Sequence, residues 1–179
     1  MFADPEKNLG HARLTEGLRV ADFGAGSGAY TLAAAKRVGS TGAVYAVDIQ
    51  NNVLERLAKE ARSERLSGVH GVWGNVEKLG GSKLADQSVD VVLVSNLLFQ
   101  VEGKYTLALE AKRILKPGGR VVVIDWSDSY GGLGPMPAAV IRPEEVKKIF
   151  AEAGFAPLEE FAAGAHHYGL IFKKPTSLS

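Results

Sequence analysis

An apolar strand that empties into alternating glycines, then a helix, constrains this chain more than any other stretch. Leu18 to Phe23 is short and apolar, Gly24, Gly26 and Gly28 follow at alternate positions, and the helix-like run Ala29–Val38 comes directly after. Such a unit opens a parallel α/β sheet and leaves its turn at the carboxyl end of the strand, where ligands bind. Glycines suit the turn because side chains would hold a ligand off the backbone, and because some of these positions need positive φ. The spacing alone is also that of any flexible strand–helix turn. Two acids narrow the reading: Asp22, two residues before the first glycine, and Asp48, which closes the next apolar segment. A dinucleotide fingerprint is spaced G-x-G-x-x-G, whereas this pattern ends at Gly28. The turn reads as a nucleoside site without a pyrophosphate.

Strand-like and helix-like segments alternate along the rest of the chain. Ala43–Asp48 is the second strand. Asn51 or Asn52 can cap the helix that follows, in which Leu54, Leu57, Ala58 and Ala61 recur at helical spacing. Val69–Trp73 and Val89–Ser95 are the third and fourth strands, the latter with the continuous apolar character of a parallel strand covered on both faces. A helix over Lys104–Leu115 stops before Pro117-Gly118-Gly119, and Arg120–Trp126 is the fifth strand. The long loop Ser127–Arg142, rich in Gly and Pro, is either a lid or a surface excursion. Pro143 starts a helix to Ala153, and Phe155–Phe161 with His167–Lys173 form a closing strand pair. No internal repeat or boundary interrupts this order, so residues 1–179 read as one domain with residues 1–16 as a short N-terminal cap.

Right-handed crossovers bring the strand C-termini, and with them Asp22, Asp48, Asn75, Ser95, Asn96 and Asp125, to one edge. A carboxylate at Asp48 can accept both ribose hydroxyl hydrogens, or else cap the next helix. Ile49 can lie against an adenine face or close the core edge. Asn75 offers a carbonyl to an adenine amino group and Val76 an N–H to a ring nitrogen, although Asn is also a common turn former. Asp22 would hold the glycine loop or a ligand ammonium, or be a strand-end acid bonded to backbone N–H groups.

The 21 basic and 20 acidic residues leave a net charge of +1, which gives no electrostatic reason to expect nucleic acid. No stretch has the length of a membrane span, and charges within Met1–Gly10 do not suit a secretory signal. Cysteine is absent, which removes disulfides, thiolate nucleophiles and thiolate metal sites. The expectation is a cytoplasmic protein.

At these motifs the chain resembles the class I S-adenosylmethionine-dependent methyltransferases, in particular the small-domain kind that includes the ubiquinone/menaquinone-biosynthesis and arsenite methyltransferases. Val20 to Gly28 stands at the family's glycine loop, Asp48 at its ribose-binding acid, and Asn75-Val76-Glu77 where an adenine-contacting Asp is usual. Asp90 to Asn96 runs into the segment that lines the methyl-transfer site, and Ala111 to Gly119 is very like the family's helix, turn and entry to strand 5. The resemblance implies a Rossmann-like, doubly wound α/β sheet of order 3-2-1-4-5-7-6 with strand 7 antiparallel. It implies S-adenosyl-L-methionine as cofactor, held by Asp22, Gly24, Gly26, Gly28, Tyr30, Asp48, Ile49, Asn75, Val76 and Ser95. Tyr30 could sit over the sulfonium or be a core aromatic.

An antiparallel last strand returns His166 and His167 to the ligand edge. Either could position or deprotonate a substrate, but adjacent strand residues point to opposite faces, so at most one faces the pocket. With Asn96 they are the candidate catalytic residues. The acceptor pocket is expected between Asn96 and Leu97, the Ser127–Arg142 loop with Trp126 and Tyr130 beside it, and the two histidines; no metal is expected. Three departures matter: Asn75 replaces an acid, Phe99 stands where many relatives carry a histidine, and the missing cysteines argue against arsenite chemistry. The expected partner is a small-molecule acceptor, with a homo-oligomer possible. A nicotinamide-dependent oxidoreductase and a non-catalytic cofactor-binding scaffold are the rival readings.

Overall fold

The computed structural model describes residues 3–176. Seven strands form one sheet in the order β3-β2-β1-β4-β5-β7-β6. They are β1 (Arg19–Phe23), β2 (Ala43–Asp48), β3 (Val69–Trp73), β4 (Val89–Ser95), β5 (Leu115–Trp126), β6 (Ala156–Gly164) and β7 (His167–Lys173). The first five run parallel, and β7 is antiparallel to both β5 and β6. Winding therefore reverses between β1 and β4, and the carboxyl ends of β1, β2 and β4 open a crevice there.

Among the described residues five α-helices flank the sheet: α1 (Pro5–His11), α2 (Ala29–Val38), α3 (Asn51–Ser63), α4 (Lys104–Ile114) and α5 (Pro143–Glu152). Strand alternation sorts the core into two faces. Val92, Val94, Val121, Val123, Tyr168 and Leu170 pack with α4 and α5, while Val91, Leu93, Val122, Ile124 and Ile171 pack with α1 and α2. The Ala-rich α2 contributes Ala33, Ala34 and Ala35 to the second face, so helix and sheet approach closely. No helix among the described residues is long and apolar enough to cross a membrane.

Two expectations are corrected. Strand β5 begins at Leu115 rather than Arg120, because the Pro117-Gly118-Gly119 backbone finds partners of its own: Gly118 N donates to Lys174 O and Lys174 N to Gly119 O. Helix α3 is led by Gln50 without a side-chain cap, not by Asn51 or Asn52; the Gln50 N–H is tied to Asp48 Oδ1 at 2.9 Å, which sets the start of the helix. The segment before β1 contains α1, whose Asp4 caps Lys7 N at 3.2 Å with Pro5 in the first turn. This helix packs beside α2 on a sheet face, with Leu9 and Ala12 fully buried.

Candidate cofactor and methyl-transfer site

All three loop glycines are left-handed, with φ of +69° at Gly24, +52° at Gly26 and +86° at Gly28. Close approach reinforces the requirement at Gly24, where a Cβ would lie 2.7 Å from Leu97 Cδ1. The loop is anchored from β2: Gly24 N and Ala25 N both donate to Val47 O. Asp48 completes the anchor, its Oδ2 accepting from Gly26 N at 3.1 Å while Oδ1 accepts from Gln50 N. The parallel β1–β2 pairing, with Phe23 opposite Val47, puts that carboxylate beside the loop.

Beside it lies a cleft of about 240 Å³. Its walls are Gly24 and Gly26, Val47 to Gln50 after β2, Gly74 to Glu77 after β3, and Leu97, Gln100 and Val101 after β4. Six of the expected cofactor residues meet there: Gly24, Gly26, Asp48, Ile49, Asn75 and Val76. Ile49 is 63% exposed, an apolar side chain standing at the cleft mouth. Asn75 Oδ1 accepts from Glu77 N at 2.9 Å, so the side chain builds the turn and keeps one lone pair for a ligand.

The other expected residues lie elsewhere. Gly28 heads α2 and faces Leu57, Ser95 is a half-buried residue at the end of β4, and Asp22 is buried behind the loop. Tyr30 is in the core on the α1 side, where its hydroxyl accepts from Asn8 Nδ2 at 3.0 Å. That amide also donates to Ala163 O, so Tyr30→Phe should cost about 1 kcal/mol of stability and leave cofactor affinity within about twofold. Chemical denaturation and calorimetry on the same variant check both.

Asp22 accepts from Thr31 Oγ1 at 2.6 Å, and its Oδ1 is buried without a hydrogen-bond partner among the described residues. Burial pushes its pKa up to about 7; the Thr31 hydroxyl pulls it down and the Asp48 charge pushes it up further. The native state thus retains a proton that the unfolded chain releases, so this group's contribution to stability is complete below pH 3.8 and is lost as pH rises through 7. Asp22→Asn should therefore gain stability relative to the parent between about pH 5 and about pH 8, as urea unfolding at both values would show.

After β4, Asn96 takes φ +50°, its backbone carbonyl accepts from Gln100 Nε2 at 2.7 Å, and its side-chain Oδ1 is buried without a partner among the described residues. His166 and His167 share the ligand edge because β7 is antiparallel and Trp126 pairs with His167. His166 Nδ1 lies 2.8 Å from Asp128, with its ring stacked on Tyr130 at 4.1 Å. His167 is buried against Trp126 at 4.2 Å, and neither ring nitrogen has a hydrogen-bond partner among the described residues. Burial lowers its pKa, the neighbouring His166 charge adds to that, and Asp128 opposes it. Among the described residues no group of three or more His, Cys, Asp or Glu side chains is placed to hold a metal ion.

Residues beyond the expected set complete the walls. Gln100 and Val101 line the cleft, and Glu77 Oε1 accepts from both Glu102 N and Gly103 N at 2.8 Å, tying the end of β3 to the entry of α4. Their sequence signal is weak, since Gln and Val in a short loop carry no spacing rule.

A sheet wound about β1, an acid–glycine loop at its end and a carboxylate closing β2 define the class I S-adenosylmethionine-dependent methyltransferase arrangement. Comparisons with known proteins agree. The methyltransferase domain family matches residues 14–154, and the chain belongs to that family. The ubiquinone/menaquinone biosynthesis C-methyltransferase UbiE of Vibrio campbellii is 36% identical over 112 residues, 62% of this chain and 42% of that protein. The demethylmenaquinone methyltransferase of Staphylococcus aureus is 35% identical over 63% of this chain and 44% of its own length. The matched stretch is thus under half the length of these curated relatives. Among solved structures, a SAM-dependent methyltransferase from Aquifex aeolicus superposes with a TM-score of 0.86 at 29% identity, covering 96% of this chain and 89% of that one. An arsenic(III) S-adenosylmethionine methyltransferase from Chlamydomonas reinhardtii gives 0.72 at 25% identity, over 90% and 64%.

Proposed function

We propose that the chain transfers the methyl group of S-adenosylmethionine to a small organic acceptor, an oxygen-substituted aromatic ring of the quinone-precursor kind. The observation that carries the cofactor half is the Asp48 carboxylate, held between Gly26 N and Gln50 N on the wall of the cleft. The orphaned Asp22 oxygen behind the glycine loop fits the same cofactor, since its ammonium end would supply the missing donor. The acceptor half is supported by the names of the curated relatives and by the rings at the ends of β5 and β7, Trp126, Tyr130, His166 and His167. A soft arsenic acceptor does not suit a chain without a thiolate.

The cofactor supplies a methyl group already activated on a sulfonium. The protein's task is alignment and exclusion of water, a gain of proximity rather than of acid–base power. Asp48 would orient the ribose, Ile49 would cover one adenine face, and Asn75 with Val76 would meet the adenine edge. Leu97, pressed on Gly24, brings an apolar side chain to the loop. Asn96 would direct its unpartnered side-chain Oδ1 to the acceptor, and His167, kept neutral by burial, would take or share an acceptor hydroxyl proton. We place the reaction in the cytoplasm.

Calorimetry with S-adenosylhomocysteine, followed by tritium transfer from labelled S-adenosylmethionine to dihydroxynaphthalene and dihydroxybenzene acceptors, is the test. Binding with label transfer is the expected result. Binding without transfer to any ring acceptor would retire the acceptor assignment, and failure to bind would retire the function.

A further inference from the structure

We propose that Asp125 and Tyr168, a cross-strand pair outside the cleft, are positioning residues that brace the two loops on its acceptor side. The inference rests on the methyl-transfer reading above. The two residues lie opposite each other in the β5–β7 register, on the sheet face covered by α4 and α5. Both are buried, Asp125 completely. A fully buried carboxylate ending the apolar run Val121–Ile124 needs compensation, and it finds it in backbone N–H groups.

Those groups belong to two strand exits. Asp125 Oδ1 accepts from Trp126 N at 2.8 Å, at the exit of β5. Its Oδ2 accepts from Leu98 N at 2.9 Å, past the exit of β4, and the amides of Phe99 and Leu97 also act on it. A carboxylate has about four lone-pair sites, so it can serve several converging N–H groups where a neutral amide, with its single carbonyl oxygen, cannot. The segment it holds is strained at its start, since Asn96 sits at φ +50°, and such a residue persists only where its surroundings over-determine it. Asn96 N donating to Ile124 O at 2.8 Å and the Asp125 cradle supply that determination.

The consequence reaches the cleft through Leu97, which presses on Gly24, and through Gln100 and Val101 on the wall. Tyr168 does the corresponding work for the other loop: its hydroxyl donates to Ile141 O at 2.9 Å, fastening the end of the Ser127–Arg142 segment just before α5. Neither side chain lines the cleft, so each acts through the backbone it holds.

The test uses the full chain and needs no known acceptor. Amide hydrogen exchange and S-adenosylhomocysteine calorimetry are run on the parent, Asp125→Asn, Asp125→Glu and Tyr168→Phe. Asp125→Asn should speed exchange at Leu97–Phe99 by about tenfold or more, leave β1 and β2 amides within about twofold, and weaken binding by about 5- to 20-fold. Asp125→Glu, which keeps both acceptor oxygens, should recover most of that affinity. Tyr168→Phe should speed exchange around Ile141 with a smaller loss of affinity. Unchanged exchange at Leu97–Phe99, a uniform rise across the sheet, or equal losses in the Asn and Glu variants would overturn the proposal. A parent protein that does not bind the product would instead sink the cofactor reading, while the exchange data would still decide the brace.

Discussion

Asp48→Ala is expected to weaken S-adenosylhomocysteine binding by roughly 1.5–3 kcal/mol, about 10- to 150-fold, with the fold intact. Two effects contribute. The variant removes the charged acceptor for the ribose hydroxyls, and it releases Gly26 N, which now bonds to Asp48 Oδ2 at 3.1 Å. Calorimetry with the product and with its 2′,3′-dideoxy analogue separates them. If the ribose contact dominates, the parent should lose most of its affinity for the dideoxy ligand and Asp48→Ala should add little to that loss. Full additivity would mean that Asp48 acts on the loop alone, and unchanged product affinity would remove Asp48 from the site.

Glu110→Ala is expected to destabilise the fold strongly, by about 3–5 kcal/mol, because it leaves the Gly80 and Ser82 amides, the Ser82 hydroxyl and part of the Arg113 guanidinium without their acceptor. Glu110 on α4 is completely buried. Its Oε1 accepts from Ser82 N at 3.0 Å and Ser82 Oγ at 2.5 Å, its Oε2 from Gly80 N at 2.7 Å, and the Arg113 guanidinium bonds to both oxygens at 2.8 and 2.9 Å. Burial pushes the carboxyl pKa up, but the Arg113 and Ser82 side chains and the two backbone amides outweigh it and bring the value down to about 2. The contribution to stability is therefore complete above the ordinary value of 4.5 and is lost as pH falls through 2, opposite in sign to Asp22. Thermal and urea unfolding of Glu110→Ala and Glu110→Gln check the magnitude. Cofactor binding should weaken as well, because the fastened segment includes Gly81, whose carbonyl accepts from Asn75 N at 3.0 Å beneath the cleft. Unfolding midpoints near that of the parent would show that solvent already carries these bonds.

Local chemistry made much of the site legible. Gly24, Gly26 and Gly28 occupy the left-handed conformations that alternating glycines suggest. Asp48 ends β2 beside them because parallel pairing of two short strands leaves little freedom in register. Ile49, Asn75 and Val76 reach the cleft for the same reason: each follows the carboxyl end of a strand next to β1 or one place removed. Local pattern does not decide Tyr30. A residue in the first turn of α2 can point toward the cofactor or into the core, and only the packing of α1 with its Asn8 decides for the core. Helix α1 had a local signature in Asp4-Pro5, yet a seven-residue helix gains most of its stability from what it packs on.

By itself the sequence determined the succession of strands and helices along the chain, the glycine turn that follows β1, and the carboxylate that closes β2. These follow from hydrophobic period, glycine conformation and residue spacing, all of which act within a few residues. Tertiary structure alone decided which polar groups are spoken for. Gly26 N takes one oxygen of Asp48, Asp125 collects amides from two strand exits, and the His167 ring nitrogens find no hydrogen-bond partner among the described residues. The bonds that link Asp48 to Gly26 and Asp125 to Leu98 join neighbouring strand ends at separations of 22 and 27 residues. No periodicity encodes such pairs, because they exist only once the sheet brings its strand ends to a common edge and burial makes an unpaired polar group costly.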